Sequence, residues 1–227
     1  VKEVDLGFEP QWVMIKKING AENWLIFDNM RGVSSNGNDA HLVPNEPDAE
    51  VSNADRINFT STGFNLNVGN MTNESGKSFM YVAIRRPHKP VEAGTDVFAA
   101  HTSSATNGTK ITTGFPIDMQ FARWSGANVY NNTAVNDRIR GVSANDAEKS
   151  ITLITSRTDF ETSGAANALG SEYWDNTGFR IHSYASGTAS IYQSFRRAPG
   201  FLDVVAYNGS SSSAQTIQHN LGAVPEM

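Results

Sequence analysis

Apolar residues in this chain come in runs of four to six that alternate with polar ones. No window of useful length places them at i, i+3, i+4 and i+7, so the helical period is absent and the strand period of two dominates. The pattern predicts strands over Trp12–Lys17, Trp24–Phe27, Ile57–Phe59, Gly63–Val68, Phe79–Ile84 and Asp96–Ala99. In the second half it predicts them over Met119–Trp124, Val129–Val135 and the run around Tyr192. Asn19-Gly20 predicts a two-residue type I′ hairpin turn between the first two strands. Ser35–Asp39 reads as a loop by composition, and Asn145–Lys149 could form one helical turn. Short strands divided by Asn, Ser, Thr and Gly at close spacing predict an all-β protein of two tandem jelly-roll-like antiparallel β-sandwich domains.

The pattern repeats. Val4-Asp-Leu-Gly-Phe-Glu-Pro10, Ile111-Thr-Thr-Gly-Phe-Pro116 and His219-Asn-Leu-Gly-Ala-Val-Pro225 are versions of one seam, anchored by Gly7, Gly114 and Gly222 at nearly equal spacing. Between seams the order of anchors is kept. Asp28 and Arg31-Gly-Val-Ser34 recur together as Asp137 and Arg140-Gly-Val-Ser143. Leu42, Asp48, Glu50 and Ser52 recur, all at one common shift, as Leu153, Asp159, Glu161 and Ser163. Tyr81 and Arg85-Arg86 recur at that same shift as Tyr192 and Arg196-Arg197. Thr62-Gly-Phe64 recurs slightly later than this as Thr177-Gly-Phe179, and Asp96-Val97 slightly earlier as Asp203-Val204. Offsets that drift only between anchors predict duplicated domains with loops of unequal length. The expected division is a first β-sandwich repeat over residues 1–94, a second over 95–205, and the start of a third, truncated unit over 206–227. The chain therefore reads as a window from a longer repetitive protein.

Composition narrows the chemistry. The chain lacks cysteine, which removes disulfides, thiolate metal sites and a Cys nucleophile. Its net charge is −5 with Lys and Arg dispersed, which argues against nucleic acid as a partner. No apolar run is long enough to cross a bilayer as a helix, so membrane insertion is not expected. The five histidines show no His-x-x-x-His spacing. No metal site and no cofactor is expected, although the Asp and Asn clusters could offer oxygen ligands to Ca²⁺.

Three constellations remain. Glu3, Asp5 and Glu9 would share one face of a continuous strand, as paired carboxylates of a glycoside hydrolase do, but the sibling seams lack the carboxylates; no catalytic residue is assigned. Asp28, Arg31 and Gly32, with Asp137, Arg140 and Gly141, form the most specific internal match. They are expected to brace a strand-to-loop corner, with Arg turned onto Asp and Gly supplying a special backbone conformation. Trp12 and Trp24 are expected in the core. Trp174, beside Tyr173 and next to a turn, is expected to be exposed, which makes Tyr173 and Trp174 candidates for stacking on a glycan.

The runs Trp12-Val-Met-Ile-Lys16, Trp24-Leu-Ile-Phe-Asp-Asn-Met-Arg-Gly32, Leu42-Val-Pro-Asn45 and Thr62-Gly-Phe-Asn-Leu66 resemble a repeat domain of uncharacterised function found in virion and tail-associated proteins of bacteriophages, many of them marine. Tyr192–Gly209 is similar to that family's linker between units. The resemblance implies tandem concanavalin- or laminin-G-like sandwiches and a place on a phage particle. From it follows the expectation of a non-enzymatic virion structural protein, a tail fibre or appendage module for assembly and host-surface adhesion. The alternatives are a capsid decoration or extracellular surface-layer protein, and a carbohydrate-binding module or glycan hydrolase. The expected partners are other virion proteins, copies of the same chain (a homotrimer is one symmetric state) and a host-surface glycan, and the expected location is the virion or extracellular space.

Overall fold

The computed structural model describes residues 1–33, 38–67, 69–87, 89–104, 106–124, 133–140, 151–156, 158, 162–163, 171–181, 189–207, 209 and 214–225. All of its named elements are strands apart from one turn of 3-10 helix over Gly94–Asp96, and every strand pairing is antiparallel. The all-β class read from the hydrophobic period is therefore the observed one, with sheets that fit β-sandwich domains. The chain divides into two compact units, Val1–Pro87 with Val205–Asn220, and His88–Val204 with Leu221–Met227.

The first unit contains β1 (Lys2–Asp5), β2 (Pro10–Lys17), β3 (Leu25–Asp28), β4 (Ile57–Thr60), β5 (Gly63–Leu66) and β6 (Phe79–Arg85). They form two three-stranded sheets, ordered β1-β5-β4 and β3-β2-β6. Val13, Ile15, Leu25 and Phe27 of one sheet meet Ile57, Phe59, Phe64 and Leu66 of the other in a single buried cluster. The alternation of β2 and β3 makes this possible, because it puts Val13 and Ile15 on one side of β2 and Leu25 and Phe27 on one side of β3. Trp12 and Trp24 are half-buried and stand outside that cluster. Both fall on the other side of the strand alternation, and Trp24 carries the Lys16 ammonium 6.0 Å above its ring.

The second unit contains β7 (Phe98–Ser103), β8 (Lys110–Thr112), β9 (Met119–Trp124), β10 (Thr133–Asp137), β11 (Ile151–Ile154), β12 (Thr162–Ser163), β13 (Ser171–Glu172), β14 (Gly178–Ile181) and β15 (Ser190–Phe195). One sheet has six strands in the order β12-β11-β10-β9-β15-β7, and the other three, β13-β14-β8. Phe115, Ile117, Ala122, Ala134, Trp174, Phe179, Ile181 and Tyr192 form its core, with Ala99 and Ile111 packed against it.

The two units share strand registers as well as sequence anchors. Trp12 faces both Asp28 and Ile84, and Met119 faces both Asp137 and Phe195. Leu42 bridges Ile26 as Leu153 bridges Val135, and His41 bridges Val51 as Thr152 bridges Thr162. In the small sheets Asp5 faces Gly63, and Thr112 faces Gly178. These last two glycines have a shared cause. A Cβ on Gly63 would lie 2.0 Å from the Val4 carbonyl oxygen, and one on Gly178 would lie 2.0 Å from that of Ile111. The seam strand passes so close that no side chain fits beneath it. The seam glycines obey a different constraint. Gly7, Gly114 and Gly222 have φ of +70°, +85° and +72°, with open space where a Cβ would stand, so backbone conformation and not crowding selects glycine there.

Some boundaries differ from the expected ones. The β2–β3 connection runs from Ile18 to Trp24, and Gly20 is not in the left-handed region, so Asn19-Gly20 does not make a two-residue type I′ turn. Asn19 instead accepts a hydrogen bond from the Ser78 amide at 2.7 Å, tying the loop to the start of β6. The strand before the second seam begins at Phe98 and not at Asp96, because Asp96 closes the 3-10 turn by accepting from the Ala93 amide at 3.0 Å. The helical turn expected over Asn145–Lys149 lies outside the described residues.

Candidate functional site

The duplicated Asp–Arg motif sits where β3 and β10 end. In the first unit Asp28 accepts hydrogen bonds from the amides of Met30 and Arg31 at 3.0 and 2.9 Å, and the Arg31 guanidinium returns to it at 2.8 Å. Arg31 also reaches Glu50 at 3.1 Å. Gly32 follows with φ +88°, which carries the chain out of the corner. In the second unit Asp137 accepts from the Arg140 amide at 2.9 Å and from its Nε at 2.5 Å. Here both side chains are buried, whereas Arg31 is one-third exposed. In both units the arginine is turned back onto its own corner. Gly141, Ser34 and Ser143 lie outside the described residues.

The second unit buries a larger charged network. Asp118, which precedes β9, accepts from the Arg197 amide at 2.7 Å and stands 3.4 Å from the Arg138 Nε. Arg138 donates to the Ile117 carbonyl at 2.8 Å and lies 5.7 Å from the centre of the Trp174 ring. Arg197 closes on Asp203 at 2.7 Å. The second arginine of Arg196-Arg197 is therefore a buried brace and is not part of a surface basic patch.

This network corrects the expected position of Trp174. Its exposure is 7 %, and it belongs to the core cluster, with the Arg138 guanidinium over its ring. The turn signal beside it is real, since Asp175 accepts from the Thr177 amide at 2.7 Å. The tryptophan nevertheless points inward, because it lies between two strands of the small sheet and its ring joins the core cluster of that unit. Tyr173 is half-buried, has φ +48°, and lies 5.8 Å from the Arg180 guanidinium. Glu3, Asp5 and Glu9 also fail to share a face. Glu3 and Asp5 are exposed on β1, the chain turns at Gly7, and Glu9 is buried at 4 % exposure before β2.

Two groups escaped the sequence pattern. Asp39, within a stretch that reads as loop, is fully buried and accepts from the amides of Arg56 and Ile57 at 2.6 and 2.8 Å, which fixes the entry to β4. His41 is buried beside it, with Nδ1 2.9 Å from the Asp39 carbonyl and its ring 5.4 Å from that of Phe27. Burial holds the His41 pKa below the ordinary histidine value. The only available signal was the alternation of Asp39 and His41 about Ala40, too short to separate from a polar loop.

The feature that differs most between the units is the edge of the larger sheet. In the second unit β15 lies between β9 and β7 and alternates cleanly between buried and exposed positions. Its counterpart β6 has β2 on one side and, among the described residues, no strand on the other. Met80, Tyr81, Val82 and Ile84 are all exposed, Ile84 at 53 %. This is a contiguous apolar strand edge of the kind that soluble proteins usually blunt or cover.

Residues 3–87, which span β1 to β6, match a family described as a domain of unknown function (DUF7483). No curated protein and no solved structure matches the chain.

Proposed function

We propose that this protein is a non-enzymatic structural component of a phage virion, a tail fibre or similar appendage whose β-sandwich units serve assembly and host-surface adhesion. The observation that carries the reading is the duplication of one sheet register in two units. The buried Asp–Arg groups support it, because Asp137, Arg140, Arg197 and Asp203 are engaged with one another inside the fold and brace it. A repetitive particle needs only weak contacts per unit, since many simultaneous contacts multiply attachment. The phage setting rests on the sequence resemblance of Trp12–Leu66 and Tyr192–Gly209. Cross-linking and mass spectrometry of intact particles tests the reading. Cross-links to tail or fibre proteins and between copies of the chain are expected, while cross-links to major capsid subunits alone would replace the fibre with a capsid decoration.

A further inference from the structure

We propose that the inner face of the larger sheet in the second unit is a binding site for internal water, held by Gln120 together with Ser194. One row of side chains is shared by the two units in register but not in chemistry. In the first unit Val13 faces Phe27 on one side and Ala83 on the other, and the Ile26–Leu42 bridge sets His41 beside Phe27. That row is core. Val13 and Phe27 are fully buried, and the rings of Phe27 and His41 lie 5.4 Å apart. In the second unit Gln120 faces Asn136 on one side and Ser194 on the other, and the β10–β11 register sets Thr152 beside Asn136. Polar side chains therefore hold every position of a row that is apolar, apart from His41, in the duplicate.

The polar row points inward. Gln120 alternates with Ala122, Asn136 with Ala134 and Ser194 with Tyr192, and Ala122, Ala134 and Tyr192 all belong to the core cluster. None of the four polar residues is more than 2 % exposed. Groups buried this deeply need hydrogen-bond partners. Asn136 Nδ2 donates to Thr152 Oγ1 at 2.8 Å, and Gln120 Nε2 donates to Ser194 Oγ at 2.9 Å. Gln120 Oε1 has no partner among the described residues. Turning the amide over only exchanges an unpartnered oxygen for an unpartnered nitrogen. Ser194, having accepted from the amide, keeps its own O–H to donate. An acceptor on β9 and a donor on β15 are thus left over on either side of one amide group, within the span of a single water molecule.

Bulk and access both fit that occupant. Asn136 and Thr152 replace the rings of Phe27 and His41, and in the next row Ala122 and Ala134 replace Ile15 and Leu25. Gln120, Ser194 and the Trp174 indole return only part of the volume, so the difference is on the order of a few water molecules at about 30 Å³ each. The row is closed to solvent, so a molecule larger than water has no way in without opening the unit. Water can donate to Gln120 Oε1 and accept from the Ser194 hydroxyl, and internal waters commonly join two to four such groups.

A crystal structure of the chain and water cross-relaxation NMR on the same protein test this without any substitution. Ordered density within hydrogen-bond distance of both Gln120 Oε1 and Ser194 Oγ is expected, together with a peak between water and the Gln120 side-chain amide of the sign that long-lived bound water gives. A Gln120 amide satisfied wholly by protein groups, with no such peak, overturns the proposal. Density for a larger molecule does so too, as does a peak whose sign reports passing surface water. Gln120→Met then locates the site, since it keeps the length of the side chain and removes the amide. Oxygen-17 relaxation dispersion should count at least one long-lived water fewer in that variant, and no change in Gln193→Met, which alters an exposed position on the outer face of β15. An unchanged count in a folded Gln120→Met chain, or an equal loss in both variants, removes the assignment to Gln120. Should Gln120→Met fail to fold, the density and the cross-relaxation peak of the unaltered chain decide the question.

Discussion

Tyr81 and Tyr192 hold the same place in two copies of one sheet, with the same neighbours on one side. Tyr192 is fully buried and its hydroxyl pKa is pushed up to about 12, first by burial, with the Ser190 side chain pulling it back in part. Tyr81 is nearly half exposed, and its ring meets Phe64 edge to face at 5.4 Å. The difference does not lie in the residue or its strand partners β2 and β9. Among the described residues, β7 pairs along β15 and no strand pairs along the matching side of β6. The Asp–Arg corners show a milder form of the same contrast, buried in the second unit and partly solvated in the first. A duplicated sequence therefore specifies a shared frame, and the neighbours of that frame decide what each side chain is worth.

Unit-resolved stability, read by hydrogen exchange on the full chain, can break or sharpen this comparison. The largest contrast is expected at the tyrosines. Tyr192→Ala should destabilise the second unit by about 3–5 kcal/mol, the usual cost of emptying a buried aromatic site, while Tyr81→Ala should cost the first unit less than about half of that. Equal losses would show that β7 does not set the burial of this position. The glycines under the seam should behave alike. Gly63→Ala and Gly178→Ala each force a Cβ against a backbone oxygen and should each cost about 3 kcal/mol, near the upper end for overpacking. A large difference between them would deny that the two small sheets share one geometry.

The corners should separate again. Arg140→Ala strands a buried carboxylate and should cost about 3 kcal/mol. Arg31→Ala should cost about 0.5 kcal/mol, as a partly exposed pair does. Comparable losses would make the two corners equivalent despite their burial.

Acid should touch the units in different windows. The folded first unit resists protonation of His41, so the unfolded chain binds the extra proton as pH falls below the ordinary value of 6.5. The first unit should therefore lose stability from about pH 6.5 downward, and His41→Gln should flatten that slope. In the second unit burial raises the Asp175 pKa, but hydrogen bonds from Lys110 and Thr177 outweigh it and hold the carboxyl at about 2. Its contribution is present above the ordinary 3.8 and is lost as pH falls towards about 2. Because Asp175 is half exposed, the effect should be the smallest of the set. Lys110→Met should remove most of it; a second unit that unfolds in the histidine window instead would reverse the expected order.

Much of the fold was legible because it rests on local patterns. Strands β2, β4, β5, β6, β9 and β15 fall where the apolar runs of the sequence predict strands, and the anchors that recur from one repeat to the next share register. The seam was legible for a backbone reason, since Gly7, Gly114 and Gly222 all take the left-handed conformation. The candidate site was less so. Trp174 was read from its neighbours in sequence, yet its burial comes from Arg138 and Phe179 across the fold. Asp39 lay hidden in polar composition, because a buried carboxylate that accepts two distant amides has no local signature.

The sequence by itself determined the class, the strand period, the duplication and the glycines that the seams require, since each of these depends on φ, on alternation or on spacing along one chain. Only the tertiary structure decided which face of a strand is inside, which charges are buried together, and that β15 lies between β9 and β7. Those are properties of what lies next to a strand in space, and the strand's own short run of residues carries no record of whether a neighbour is there.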